Sequence, residues 1–194
     1  MKLNMGCGMN KMAGYINVDM FPECSPDILH DLEKTPWPWA TDSVAEVVFH
    51  HSLEHIGGDS RVFLEIIKEL YRVCRSDAII SVTVPHPRHD HFIGDPTHVR
   101  IVTPQMLELF SKSKNREWQS AGIANSPLAL YLDVDFQLES VNYILDDPYS
   151  TLYQEDRITV DELNTALREK NNVAREIRIV LRVIKPDMMQ LVQP

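Results

Sequence analysis

Residues 2–19 read KLNMGCGMNKMAGYINVD, an apolar alternation that runs into a glycine pair and ends, thirteen residues after Gly6, on Asp19. Lys2 to Met5 has the pattern of a short strand, and glycine at positions 6 and 8 lets the backbone turn sharply and approach a ligand closely. Tyr15 to Asp19 is a second apolar run closed by an acid. A carboxylate there can accept hydrogen bonds from both hydroxyls of a ribose. A dinucleotide site needs G-x-G-x-x-G, a full helix and an acid roughly twenty residues on. Position 11 is Lys and the spacing is shorter, so little room is left for a pyrophosphate-binding helix and NAD is disfavoured.

Outward from this stretch, strands and helices alternate. Asp27 to Leu32 offers a short third strand inside a proline-broken loop, and Val44 to Phe49 is a continuous apolar run of the kind buried on both faces in parallel sheets. From Ser60, apolar residues recur at three and four (Val62, Phe63, Ile66, Ile67, Leu70, Tyr71), with Asp59 or Ser60 as N-cap. AIISVTVP (78–85) is another buried strand, and Thr103-Pro104 opens a further helix. In the tail, FQLESVNYIL and EIRIVLRVIKP read as an antiparallel strand pair separated by an insertion with a polar helix near Val160 to Lys170. The sum is an α/β sheet, whose ligands bind beyond the carboxyl ends of the strands.

The 194 residues suit one domain, and a net charge of -9 argues against a protein built to grip nucleic-acid phosphates. Cys7, Cys24 and Cys74 show no disulfide or zinc spacing, which points to a reducing, cytoplasmic setting. Neither a signal peptide nor a membrane-spanning run is expected.

Taken together, LNMGCG, GYINVD, HDLEKTPWPWATDSVAEVVFHHSLEHI, FLEIIKELYRVCR and IISVTVP resemble the class I S-adenosylmethionine-dependent methyltransferases. The likeness is to the small type 11-like group marked by L-N-L-G-C-G, N-V-D and L-E-H, and it covers about residues 2–112. It implies a Rossmann-like sheet, mostly parallel with its last strand antiparallel and helices on both faces, in one domain over 1–194 with a variable insertion around 146–172. It also implies S-adenosylmethionine as cofactor, leaving as S-adenosylhomocysteine. On the matching positions, the backbone at Gly6, Cys7 and Gly8 passes under the methionine part and Asp19 holds the ribose. Asp31 accepts from the adenine amino group with Leu32 against the ring, His50 and His51 lie where backbone carbonyls and a side chain face the methionine ammonium, and Leu53-Glu54-His55 supports the strand-to-helix turn. Two departures stand out. Alanine (Ala45) takes the place of the usual aspartate before the fourth strand, and Ser76-Asp77 replaces a glycine pair after the long helix.

All eight histidines lie between residues 30 and 98, four of them within HPRHDHFIGDPTH. His89 and His91 read as capping or solvated residues. The H-x-x-H-x-H spacing of His86, His89 and His91 matches no zinc pattern, so no metal ligands are assigned. DPTHVR before a T-P helix start resembles methyltransferases acting on sugars and related small molecules. His98 or His86 is therefore the expected base, with Asp95 orienting one of them or binding substrate and Arg100 as an anion contact. The expected function is methyl transfer to a small polar acceptor, a sugar or sugar-derived metabolite, without nucleic-acid or membrane partners. The alternatives are a non-catalytic S-adenosylmethionine-binding module and a histidine-rich metal-dependent hydrolase.

Overall fold

A computed structural model describes residues 1–186. Seven strands make one sheet: β1 (Lys2–Met5), β2 (Ile16–Asp19), β3 (Ile28–Leu29), β4 (Val44–His50), β5 (Cys74–Pro85), β6 (Phe136–Leu145) and β7 (Ala174–Val183). Their order is β3-β2-β1-β4-β5-β7-β6. The pairs from β3 to β5 are parallel, and β7 runs antiparallel to both neighbours.

Period-two alternation decides which residues enter the core. Leu3 and Met5, Val47 and Phe49, Ile80 and Val82, and Ile179 and Leu181 all point to one face and are buried. Onto that face packs α1 (Ser60–Val73), capped by Asp59, whose carboxylate accepts from the Arg61 and Val62 amides. Phe63, Ile66, Ile67 and Leu70 form its buried stripe; side chains of this size contribute about 1.5–3 kcal/mol each when fully buried. After β5 come the single-turn α2 (Asp90–Ile93) and then α3 (Pro104–Glu108), capped by Thr103 with proline in its first turn. Leu107 and Phe110 add to the same core, and Phe110 lies against Phe63.

Two helices follow that hydrophobic periodicity does not announce, the polar α4 (Lys112–Ser120) and the single-turn apolar α5 (Leu128–Leu132). Asn115, 1% exposed, joins them to α3. Its amide donates to the Leu109 carbonyl and accepts from the Ala129 N–H. Between β6 and β7 lie α6 (Tyr149–Gln154) and α7 (Val160–Glu169), the latter held by a Thr159–Glu162 capping box. These two carry a small core of their own around Leu163, Ala166 and Val173.

The helices expected on both faces are unevenly distributed. Among the described residues the β1–β2 and β2–β3 connections contain no α-helix. The second sheet face, presenting Glu46, Val48 and His50 of β4 and Ser81 and Thr83 of β5, is half-buried or exposed. The 9–15 loop covers part of it: Asn4 donates to the Asn10 carbonyl, and the Tyr15 hydroxyl and Lys2 ammonium both hold Glu46. Ser76-Asp77 keeps the turn that a glycine pair would make, since Asp77 takes φ +60°, a left-handed conformation aspartate tolerates better than most residues.

Candidate cofactor and acceptor site

The strand order reverses between β1 and β4, the switch point where open α/β sheets bind ligands. A cleft of about 230 Å³ opens there, lined by Gly6, Gly8, Asp19, Asp31, Leu32, His51, Ser52 and His55, with Phe21 and His30 at its side.

Gly6 is required twice over. Its φ is +68°, and a Cβ at this position would stand 2.5 Å from the Ser52 Cβ. Ser52 is buried and its hydroxyl donates to the Met5 carbonyl at 2.7 Å, which ties the segment after β4 to the end of β1. The amides of the glycine loop are used internally. Gly6 and Cys7 donate to the Val18 carbonyl, and Gly8 donates to Asp19 Oδ2 at 2.8 Å. Asp19 Oδ1 accepts from the Phe21 N–H at 3.0 Å. Each carboxylate oxygen of Asp19 therefore keeps acceptor capacity toward a diol in the cleft.

Asp31 accepts from the Glu33 amide and keeps its second oxygen toward Lys34 at 3.4 Å, while Leu32 is buried beside it. His51 enters the cleft wall in the left-handed region, with φ +52°, a conformation uncommon outside glycine that histidine adopts more often than most residues. Its Nε2 lies 3.3 Å from Glu176 and its Nδ1 3.5 Å from Glu54. The Glu54 carboxylate is the main influence raising the His51 pKa, with burial opposing it.

Two residues whose backbone is assigned to the cofactor lie on another depression as well. The side chains of His50 and Cys7 line a depression on the second sheet face together with Asn4, Lys11 and Val48. Strand alternation explains His50, because neighbours along β4 face opposite sides.

The expected catalytic residues divide into two groups. His98 and Asp95 come together, Nε2 to Oδ2 at 3.8 Å, and the His98 ring lies 4.6 Å from that of His55, which lines the cleft. His86 does not join them. It is buried at the end of β5 beside Tyr143, its Nδ1 accepts from the Arg88 amide, and burial lowers its pKa. Arg100 is occupied structurally. It donates to the Gly57 carbonyl and stacks over Phe63 at 4.0 Å. His89 caps α2 through Nδ1 and pairs with Asp146 at 3.0 Å through Nε2.

Sequence reasoning treated Glu54 as turn support. Its backbone does serve that role, because its carbonyl accepts from the Val99 and Arg100 amides. Its side chain is 0% exposed, however, and neither carboxylate oxygen has a hydrogen-bond partner. An acid next to histidine at the end of a buried strand was the available signal.

The strand order, the one reversed strand and the cleft at the switch point define the fold of the class I S-adenosylmethionine-dependent methyltransferases. Solved structures agree. A SAM-dependent methyltransferase from Archaeoglobus fulgidus superposes with a TM-score of 0.64 at 16% identity, covering 93% of this chain and 85% of that one. A SAM-dependent methyltransferase from Methanosarcina mazei gives 0.54 at 13%, covering 95% and 92%. The (4+2)-cyclase SpnF gives 0.53 at 12%, covering 95% and 75%, so the same fold also carries other chemistry. No protein-family model and no curated protein matches the sequence. No helix among the described residues is long and apolar enough to cross a membrane.

Proposed function

We propose that the protein is an S-adenosylmethionine-dependent methyltransferase acting on a small polar acceptor, with sugars and sugar-derived metabolites as the first class to test. The observation that carries this reading is the cleft itself. It combines a side-chain-free approach at Gly6 and Gly8, a carboxylate at Asp19 and an acid–apolar pair at Asp31-Leu32, all at the carboxyl ends of β1, β2 and β3. That donor set fits the cofactor: Asp19 would take the ribose hydroxyls, Asp31 the adenine amino group and Leu32 the ring. S-adenosylmethionine supplies an electrophilic methyl group when bound.

The remaining work falls to this chain's own residues. They must orient the acceptor and manage its proton. His98, beside Asp95 and next to His55 at the cleft, is the group placed to do so. His86, buried at the end of β5 with its pKa lowered by that burial, supports the sheet end instead. The acidic net charge and the free cysteines Cys7, Cys24 and Cys74 support a cytoplasmic small-molecule enzyme over one that grips nucleic acid.

Isothermal titration with S-adenosylhomocysteine tests the cofactor assignment. One-site binding to the wild type, lost in Asp19→Ala and weakened in Asp19→Asn, is expected. Tight NADH binding with none to S-adenosylhomocysteine would overturn it. Transfer of labelled methyl to a panel of sugars and sugar acids then tests the acceptor class.

A further inference from the structure

Glu54 poses a problem that the methyltransferase reading leaves open. A fully buried carboxylate without a donor is costly, and such groups in folded proteins nearly always have a partner or a bound ligand. His51 Nδ1 pairs with Oε1 at 3.5 Å without making a hydrogen bond, and Oε2 has no hydrogen-bond partner either. What also faces Glu54 is a pair of imidazoles: one ligand atom from each of Glu54, His55 and His98 lies within 4.8 Å of the others.

The surrounding hydrogen bonds fix which nitrogen each imidazole offers. His98 Nδ1 lies 2.9 Å from the Phe92 carbonyl. A carbonyl only accepts, so Nδ1 carries the hydrogen and Nε2 is left with a lone pair. His55 Nδ1 lies 3.0 Å from Thr97 Oγ1, and that hydroxyl already donates to Asp95 Oδ1 at 2.6 Å. The hydroxyl must therefore accept from His55 Nδ1, which again leaves Nε2 free. In neutral His98 this Nε2 lone pair faces Asp95 Oδ2 at 3.8 Å, two acceptors turned toward each other. A cation between them resolves the conflict. Metal-bound histidines show this arrangement, with the second ring nitrogen donating to an outer partner that fixes the tautomer.

We propose that Glu54, His55 and His98, with Asp95 as a further oxygen donor, form a binding site for one divalent first-row transition-metal ion, Zn²⁺ or Mn²⁺. Two imidazoles and one or two carboxylates are the donors such ions take when they keep positions open to solvent or substrate. A tetrahedral ion about 2.1 Å from each donor spaces its ligands by roughly 3.4 Å, so the three draw in by no more than about 1.4 Å. This set differs from the His86, His89 and His91 spacing considered from the sequence, because the chain brings the 53–55 turn under the DPTH loop. His55 also lines the cleft. On the methyltransferase reading, on which this last step rests, the ion would hold and acidify an acceptor oxygen, and His98, with Nε2 taken up by the ion, would then serve as a ligand in place of acting as the base itself.

The test is calorimetric titration of the chelator-stripped full chain with ZnCl₂ and MnCl₂ at pH 8, where free imidazole is neutral. Wild type, Glu54→Gln, His98→Gln and the double variant His89→Gln/His91→Gln are compared after circular dichroism confirms each is folded. The expected result is one equivalent bound by wild type and by the double variant, with affinity at least tenfold weaker in Glu54→Gln and in His98→Gln. Binding of neither metal, equal affinity in all four proteins, or loss confined to the double variant would overturn the site. S-adenosylhomocysteine is titrated separately. Metal binding without nucleoside binding leaves the site standing and removes the methyltransferase reading, and the reverse removes the site alone.

Discussion

Replacing Gly6 by alanine separates the two demands on the glycine loop. The left-handed φ of +68° costs an alanine about 1–2 kcal/mol. The new Cβ also falls 2.5 Å from the Ser52 Cβ, and relieving such a clash inside a packed site costs about 1–3 kcal/mol. The sum is roughly 2–5 kcal/mol, a large share of the 5–15 kcal/mol typical of a domain. Gly8→Ala is the internal control. It has φ +49° with nothing within 4 Å of its Cβ, so only the backbone term of about 1–2 kcal/mol applies. Urea denaturation of both variants measures the difference. Because Ser52 also lines the cleft, Gly6→Ala is further expected to lose S-adenosylhomocysteine binding, while Gly8→Ala keeps more of it. Equal destabilisation by the two substitutions would refute the close-approach argument.

Three further outcomes follow from other parts of the molecule. Glu69, 9% exposed, bonds Arg72 and the Trp37 amide. The Arg72 hydrogen bond, opposed by burial and aided by the Trp37 amide, holds its pKa below the ordinary 4.5. Its stabilisation is thus present above about pH 4.5 and fades as pH falls through the lower folded value. Glu69→Gln should cost about 1–3 kcal/mol at pH 7, and the gap to wild type should narrow on acidification; a pH-independent gap in urea midpoints would contradict this. Asn115→Ala, which removes two buried hydrogen bonds linking α3, α4 and α5, should destabilise by about 1–3 kcal/mol, with increased amide exchange in 112–132 by hydrogen–deuterium mass spectrometry. Unchanged exchange there would show that apolar contacts alone hold the segment. In metal-free protein, Glu54→Gln should lower the His51 pKa, because it removes the carboxylate 3.5 Å from His51 Nδ1 that raises it; an unchanged His51 titration by NMR would contradict the pairing.

Much of the sheet was legible because its signals are local. Lys2 to Met5, Val44 to Phe49 and residues 78–85 carry apolar runs that strands require, and Asp59 and Thr103 cap the helices that their side chains announce. The third strand shrank to Ile28–Leu29 because β2 offers it only Val18 and Asp19 as partners. The α4–α5 pair was missed because KSKNREWQS has no apolar stripe; one buried asparagine anchors it, and such a contact has no period. At the site, Gly6, Gly8, Asp19, Asp31, Leu32 and His51 gather in one cleft because strand ends converge at a switch point. The His50 side chain turned to the other sheet face through strand alternation, and His86 separated from His98 because the β5 end and the DPTH loop occupy different sides of α2 in the chain. The Glu54–His55–His98 group depends on a contact between segments more than forty residues apart, which spacing alone does not reveal.

The most direct test of the central claim is a crystal structure grown with S-adenosylhomocysteine. The account predicts ligand density in the cleft at the β1–β4 switch point, with the ribose hydroxyls on Asp19 and the adenine beside Asp31 and Leu32. Density for the nucleoside elsewhere on the molecule, or an empty cleft at saturating ligand, would contradict it.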